Sequence, residues 1–493
     1  MQAAPQKQPQ ESFYHLAHVP LQGHACQGLA CFAARKLQPQ HWQQAQARLP
    51  AVFCLGKCYQ GPALFHDDDQ EAGKAHRPHA ASFAPQTVLL GNILHGGARD
   101  LTSYAARGGG AALRQALAMP PAALLEMIAA SGLRGRGGAG FPTGRKWAAV
   151  AASPVPRKYL VANADEGDPG AFSDRLLLED DPFRLIEGML IASIATGAAH
   201  GTIYLRKEYP GAATSLRAAI LEARDAGWIG PRVPGSGQGF TLDLVIGQGS
   251  YVCGEETALL NSIEGRRAEV RPRPPQIVEH GLFQAPTLVN NVETLCAVPW
   301  IVTHGAAAYA AMGTGASRGT KLLSLNSLFR HPGLYEVALG MPLRQVVEEI
   351  GGGLRQGRLR GVMVGGPLAG LVPPSLLDTP LGYEELQAIG CALGHGGVIA
   401  FNDDTGIAEL LAEVFRFGAL ESCGKCTPCH YGAPELKRLL QGALDGRRFD
   451  RQHWHALIEA LDATSLCGHG RGLAEFARAI ARHYPQELAT CFI

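Results

Sequence analysis

Four cysteines have the spacing of a metal-cluster ligand set. Cys423, Cys426 and Cys429 stand in Ser422-Cys-Gly-Lys-Cys-Thr-Pro-Cys429, and Cys467 follows in Ser465-Leu-Cys-Gly468. Gaps of two residues let a short turn of chain point three sulfurs into one concave space. A distant fourth thiolate then completes the ligands of a cubane iron–sulfur cluster. Such a cluster moves electrons singly, so the rest of the chain has to supply their source or sink.

Three loops offer partner chemistry. Gly132-Leu-Arg-Gly-Arg-Gly-Gly-Ala-Gly-Phe-Pro-Thr-Gly-Arg-Lys-Trp147 places six glycines in sixteen residues, and Gly135, Gly137 and Gly140 satisfy G-x-G-x-x-G. Backbone N–H groups in such a loop approach a phosphate unobstructed, and Arg134, Arg136, Arg145 and Lys146 add positive charge. The loop follows a helical pattern rather than a strand, so it is not a simple dinucleotide fingerprint, and a plain surface loop stays open. Asn163-Ala-Asp-Glu-Gly-Asp-Pro-Gly170 follows an apolar, strand-like run and puts Asp165, Glu166 and Asp168 where sheet ligands sit. Those carboxylates suit sugar hydroxyls; a solvated turn is the alternative. Ile246-Gly-Gln-Gly-Ser-Tyr-Val-Cys-Gly-Glu-Glu-Thr257 also leaves a strand and opens a helix. There Glu255 and Glu256 favour the positive helix end, and simple capping would explain them.

The elements that position these loops alternate. Tyr159–Ala162, Thr202–Leu205 and Thr241–Ile246 read as strands. Pro182–Thr196 (with Asp181 as cap), Ala212–Ala226 and Glu255–Ile263 read as helices, which implies an α/β domain with a mainly parallel sheet. A helix is expected over Ala111–Ala130. Residues 320–402 carry short strands, many glycines and a helix at Leu343–Ile350, and the pattern is helical beyond Gly406. With 493 residues, roughly three or four domains are expected. A net charge of +1 gives no basic excess for a nucleic-acid partner. The polar Met1–Gln10 start reads as no signal peptide, and no apolar run is long enough to insert in a membrane. Twelve cysteines favour metal or redox use over disulfides, and Cys253, Cys296, Cys391 and Cys491 read as packed thiols.

Taken together, the glycine loop, Asn-Ala-Asp-Glu-Gly-Asp-Pro-Gly, Cys-Gly-Glu-Glu-Thr, Asn290-Asn-Val-Glu-Thr294 and Glu-Ser-Cys-Gly-Lys-Cys-Thr-Pro-Cys resemble the family of flavin-bearing, NADH-oxidising subunits of respiratory complex I. That family includes the diaphorase subunits of NAD-reducing hydrogenases and the beta subunits of soluble NAD-dependent formate dehydrogenases. The resemblance covers residues 110–493. It implies a multidomain α/β protein: a Rossmann-like FMN- and NAD-binding domain over 105–315, a ubiquitin-like β-grasp module over 320–402 and a helical 4Fe–4S domain over 405–493. The resemblance implies that Gly135, Arg136, Gly137, Gly138, Lys146, Asn163, Asp165, Glu166, Gly254, Asn290 and Asn291 hold FMN. Phe141, Asp168, Glu255 and Glu256 would face the nicotinamide nucleotide. Hydride then passes between NAD(H) and the flavin, and the 4Fe–4S cluster exchanges single electrons with it. Two departures, Ala148-Ala149 after Lys-Trp and Arg273-Pro-Pro-Gln276, imply a different adenine stack.

The segment 13–70, with Cys26-x₄-Cys31 and Cys54-Leu-Gly-Lys-Cys58, is similar to the thioredoxin-like 2Fe–2S subunit that partners such flavoproteins. Cys26, Cys31, Cys54 and Cys58 are the right number for a 2Fe–2S cluster, although the gap between the pairs is short. A remnant docking domain without a cluster is the alternative. Residues 1–12 are expected to be disordered and 71–104 to be a linker. This N-terminal unit is unlike the usual complex I subunit and like both formate dehydrogenase beta subunits and hydrogenase diaphorases. The Ser465-Leu-Cys-Gly-His-Gly470 context favours the formate dehydrogenase type. The hydrogenase diaphorase comes next and complex I third. The expected setting is a soluble cytoplasmic complex with a thioredoxin-like 2Fe–2S subunit and a large molybdenum formate dehydrogenase alpha subunit. A non-catalytic electron-transfer and docking module is the reading of another class.

Overall fold

In Tyr159–Ala164, alternate side chains enter two different cores. Leu160, Ala162 and Ala164 pack with Leu185, Met189 and Leu295, while Tyr159 and Val161 pack with Leu259 and Leu260. Burial on both faces is what a parallel sheet between helices requires. The sheet is four-stranded and all parallel, in the order Thr241–Ile246, His200–Leu205, Tyr159–Ala164, Thr287–Asn291. This computed structural model describes residues 14–17, 23–66, 69, 76–233 and 235–493, so the expectation for residues 1–12 lies outside the described residues.

A second, five-stranded sheet has the order Leu359–Val364, Gly397–Asn402, Thr320–Leu325, Gly333–Ala338, His79–Ser82. It is mixed: Thr320–Leu325 runs antiparallel to Gly333–Ala338 but parallel to Gly397–Asn402. Its last strand corrects the expected linker. His79–Ser82 pairs in parallel with Gly333–Glu336, and Gly91–Leu94 and Leu101–Ala106 are helices. The buried Glu336 carboxylate accepts backbone N–H bonds from Val88, Leu89 and Leu90 at 2.8–3.1 Å and a bond from the Thr320 hydroxyl. Polar Ala/Pro/His composition looked like a connection because the bonding partners lie some 250 residues away.

Other elements differ locally. Pro120-Pro121 splits the helix expected over Ala111–Ala130 into Ala111–Leu117 and Pro121–Ala130. Pro182–Thr196 is helical as expected and ends at Gly197 (φ 76°), but Asp181 does not cap it. The Asp181 carboxylate instead accepts from Asn92 and Arg184. Gln345–Ile350 forms a wide helical turn where a helix over Leu343–Ile350 was expected.

The C-terminal part is four packed helices, Ile407–Leu420, Thr427–Leu444, Arg451–Thr464 and Gly468–His483, with a short fifth at Pro485–Ala489. At the other end, Ala25–Cys26 and Ala51–Val52 form a two-stranded parallel ladder with helices Leu29–Ala33 and Pro39–Arg48. Arg35 pairs with Glu409, and Phe53 meets Phe417 edge-on at 5.8 Å, which fastens this unit to the helical part. Among the described residues, no helix is long and apolar enough to cross a membrane.

Candidate functional site

Asn163 and Asn291 are register partners near the carboxyl ends of adjacent parallel strands, where open α/β sheets receive ligands. The glycine loop closes over them. Gly135 N–H donates to Phe141 O and Thr143 N–H to Leu133 O, and the helix Thr143–Ala152 starts immediately afterwards. These bonds fix the loop against the start of that helix, and the two together form one side of a cleft of about 640 Å³. Gly137, Phe141, Lys146, Asn163, Gly254, Glu255, Glu256, Asn290 and Asn291 all border that cleft. The close approach explains the glycine at 137: a Cβ there would lie 3.0 Å from Asn291 Cβ.

Each side chain is held from behind. Asn163 Nδ2 donates to Gly254 O at 2.8 Å, joining the acidic loop to the second glycine turn. Trp147 Nε1 donates to Asn290 Oδ1 at 2.9 Å. Lys146 Nζ donates to Glu256 at 3.1 Å and to Val289 O at 3.2 Å. Glu255 caps the helix Glu256–Ile263 through the Thr257 and Ala258 N–H groups, and both glutamates pair with Arg273. The helix expected from Glu255 therefore begins one residue later. Phe141, 47% exposed, stands at the rim.

A second hollow of about 440 Å³ shares Gly137, Asn163, Gly254, Glu255 and Asn291 with the first and extends to Cys467. Gly138, Asp165 and Asp168 border it. Asp168 accepts from the Tyr251 hydroxyl at 2.6 Å. Burial pushes the Asp165 carboxyl well above its ordinary range, and its Oδ2 has no hydrogen-bond partner among the described residues. An orphaned acceptor beside a polar cleft fits the hydroxyl chain of a flavin nucleotide.

Two residues expected in the cleft are elsewhere. Arg136 is 1% exposed and turns into the core, where it donates to Tyr383 and Tyr309 hydroxyls and to Arg318 O. Its charge supports the loop from below. The Glu166 carboxylate is saturated by the Asp174 and Arg175 N–H groups and by Ser173 and Tyr209 hydroxyls. Glu166 thus joins the acidic loop to the start of the helix Ser173–Asp180. Sequence reading also missed Asp174, Tyr251 and His395. The only signals for them were a lone histidine between glycines, a tyrosine in a glycine turn and an aspartate at a helix start.

The C-terminal thiols converge. Burial raises Cys429 to about 12 and Cys467 to about 11, and thiols of the same set add to both shifts. Cys426 and Cys467 are the N-cap residues of Thr427–Leu444 and Gly468–His483, so two positive helix ends face the sulfurs. Gly424 (φ 75°) makes the turn between Cys423 and Cys426. Four thiols, two of them at helix starts, fit an anionic cluster. The N-terminal thiols Cys26, Cys31, Cys54 and Cys58 are also buried together. Cys54 and Cys58 sulfurs are 3.3 Å apart, and hydrogen bonds from Cys26 and Cys58 hold Cys54 well below the thiol range. Cys253, Cys296, Cys391 and Cys491 are each buried outside both sets.

Comparison with known proteins agrees with this division. The family model described as the Nuo51 FMN-binding domain matches residues 128–300, and that of the NADH-ubiquinone oxidoreductase-F iron–sulfur binding region matches 409–491. The F 2 subunit of NADH-quinone oxidoreductase of Rhizobium meliloti (strain 1021) is 41% identical over 406 residues, covering 82% of this chain and 96% of the relative. The HndC subunit of the NADP-reducing hydrogenase of Solidesulfovibrio fructosivorans is 41% identical over 375 residues, 76% of each chain. A crystal structure of NAD+-reducing [NiFe]-hydrogenase in the H2-reduced state superposes with TM-score 0.81 at 31% identity, over 95% of this chain and 84% of that one. The air-oxidised state gives 0.82 at 30%, over 98% and 88%. With an FMN-binding domain and an iron–sulfur binding region in this order, the chain belongs to the family of FMN- and 4Fe–4S-containing NADH oxidoreductase subunits.

Proposed function

We propose that this chain is the diaphorase subunit of a soluble cytoplasmic multisubunit complex, exchanging electrons between NAD(H) and a partner through FMN and the Cys423/Cys426/Cys429/Cys467 cluster. The observation that carries the reading is the shared wall of the two hollows. The cleft bordered by Lys146, Asn163 and Asn290 shares Gly137, Asn163, Gly254, Glu255 and Asn291 with the hollow that reaches Cys467. When bound, FMN supplies the chemistry of accepting or donating a hydride and releasing electrons singly. The chain contributes binding and orientation. The glycine loop and Lys146 take the phosphate end, Asn163, Asp165, Asn290 and Asn291 take polar edges, and Glu255, Glu256 and Phe141 form the nucleotide side. Arg136 and Glu166 act behind that surface. Cys26, Cys31, Cys54 and Cys58, in a thioredoxin-like unit, hold a 2Fe–2S cluster.

For the partner, we favour a molybdenum-dependent formate-oxidising protein, so that the complex reduces NAD+ with electrons from formate. The fourth-ligand context Ser465-Leu-Cys-Gly supports this by analogy. The hydrogenase reading is supported by a different observation: the superposition on NAD+-reducing hydrogenase extends over 95–98% of the chain. Purification of the native complex with metal analysis separates them. Molybdenum with formate–NAD+ activity supports the first, and nickel with hydrogen–NAD+ activity overturns it. Failure of the chain to release FMN on denaturation, together with no NADH–ferricyanide activity, would overturn the diaphorase reading altogether.

A further inference from the structure

His395 is buried at the edge of the second hollow and carries chemistry that the motifs do not use. It lies in Gly394-His-Gly-Gly397, just before the Gly397–Asn402 strand of the second sheet. The surrounding backbone leaves no slack: a Cβ on Gly394 would sit 2.2 Å from Gly365 O, and one on Gly396 2.3 Å from Leu322 O. Gly394 also bridges to Gly138 of the glycine loop. The ring is thereby carried across to the first sheet. Its Nε2 lies 3.1 Å from Glu166 Oε1 and 3.2 Å from Asp174 Oδ2. The same Asp174 Oδ2 accepts the Asn291 side-chain N–H at 2.6 Å. Asn291 Oδ1 in turn accepts Thr294 N–H at 3.2 Å, so both ends of that amide are fixed.

Glu166, Asp174 and His395 cluster closely enough to raise the question of a metal ion. The Glu166 carboxylate is already filled by two backbone N–H groups and two hydroxyls, and Asp174 Oδ2 by Asn291. A cation seated on those oxygens would compete with these bonds, although Asp174 Oδ1 has no hydrogen-bond partner among the described residues. The histidine is itself the positive partner of two buried carboxylates. Although burial opposes its charge, Asp174 and Glu166 raise the imidazole well above its ordinary range.

We propose that His395 is a positioning residue for the flavin site, seated between Glu166 and Asp174 so that Asp174 holds the Asn291 side chain at the floor of the cleft. This rests on the assignment of that cleft to FMN. The chain His395–Asp174–Asn291 joins the second sheet to the end of the Thr287–Asn291 strand. Removing it leaves two carboxylates buried without their cation, and Asp174 loses its fixed orientation.

The test is FMN titration of the flavin-stripped full chain, read by quenching of FMN fluorescence. His395→Ala is expected to weaken FMN binding about tenfold or more, the scale of one charge-assisted bond. Asn291→Ala weakens it similarly, and the double variant His395→Ala/Asn291→Ala is no weaker than the worse single variant, because both act through one chain of contacts. Asp174→Asn keeps nearly the same shape but removes the carboxylate charge through which His395 acts on Asn291, and is expected to weaken FMN binding similarly. It serves as the second entry to the cycle if His395→Ala does not fold, as judged by circular dichroism. Wild-type affinity in the folded variants, or losses that multiply in the double variant, overturns the proposal. Failure of the wild-type chain to bind FMN would instead overturn the assignment of the cleft.

Discussion

Lys146→Ala tests the phosphate end of the cleft most directly. The ammonium has three N–H donors. Two are committed within the chain, to Glu256 at 3.1 Å and to Val289 O at 3.2 Å, which leaves one for a ligand. Its side chain is only 21% exposed, so a bond to a phosphate there is poorly screened. One charge-assisted bond is worth about 1.5–3 kcal/mol, or roughly a ten- to hundredfold rise in the FMN dissociation constant. The fold should survive, because Glu256 keeps Arg273 as partner at 3.0 Å. The assay is FMN retention after gel filtration, followed by fluorescence titration of the stripped chain. Lys146→Arg, which keeps the charge, should recover part of the loss. An alanine variant that binds FMN as tightly as the wild type would show that Lys146 only neutralises Glu256, and the assignment of the phosphate end would fall.

Cys426→Ala should leave reduction of bound flavin by NADH intact, seen as bleaching of flavin absorbance, while reduction of the native partner protein stops; unchanged transfer to that partner would remove the cluster from the path. Cys54→Ala should lower iron from about six to about four atoms per chain after anaerobic reconstitution, with the 4Fe–4S signal retained. No change in iron would show that the N-terminal thiols hold no cluster. Burial raises Cys391 to about 12, so on the order of one thiol in ten thousand is ionised at pH 8. Iodoacetamide at that pH should spare Cys391 in the native chain and label it in urea, as mass spectrometry would read; fast native labelling would contradict this burial.

Sequence reading went furthest where chemistry is local. The three-cysteine run needs only its own turn to converge, and the α/β alternation around Tyr159–Ala164 follows from side-chain periodicity. Tertiary direction was not legible. Arg134 and Arg136 look alike in a glycine-rich loop, yet Arg136 points inward because Tyr309 and Tyr383, 173 and 247 residues away, offer hydroxyls there. Glu166 and Asp168 share one acidic loop, but the start of a helix captures the first. His395 carries no signal in its own neighbourhood, since its meaning comes from carboxylates more than 200 residues earlier in the chain. The strand His79–Ser82 failed to show for the same reason.

That strand also constrains the order in which the molecule is made. Its partner Gly333–Glu336 is synthesised some 250 residues later, as is the Glu336 carboxylate that gathers Val88, Leu89 and Leu90. At ordinary translation rates of about 5–20 residues per second, the segment waits on the order of 10–50 s outside the ribosome with its backbone unpaired. Its sequence, His-Ala-Ala-Ser, is short and only weakly apolar, and it ends as an edge strand, which makes it a poor template for aggregation during that wait. The N-terminal thiol unit precedes this segment, so it emerges earlier still, well before the Glu409 and Phe417 side chains that fasten it to the helical part.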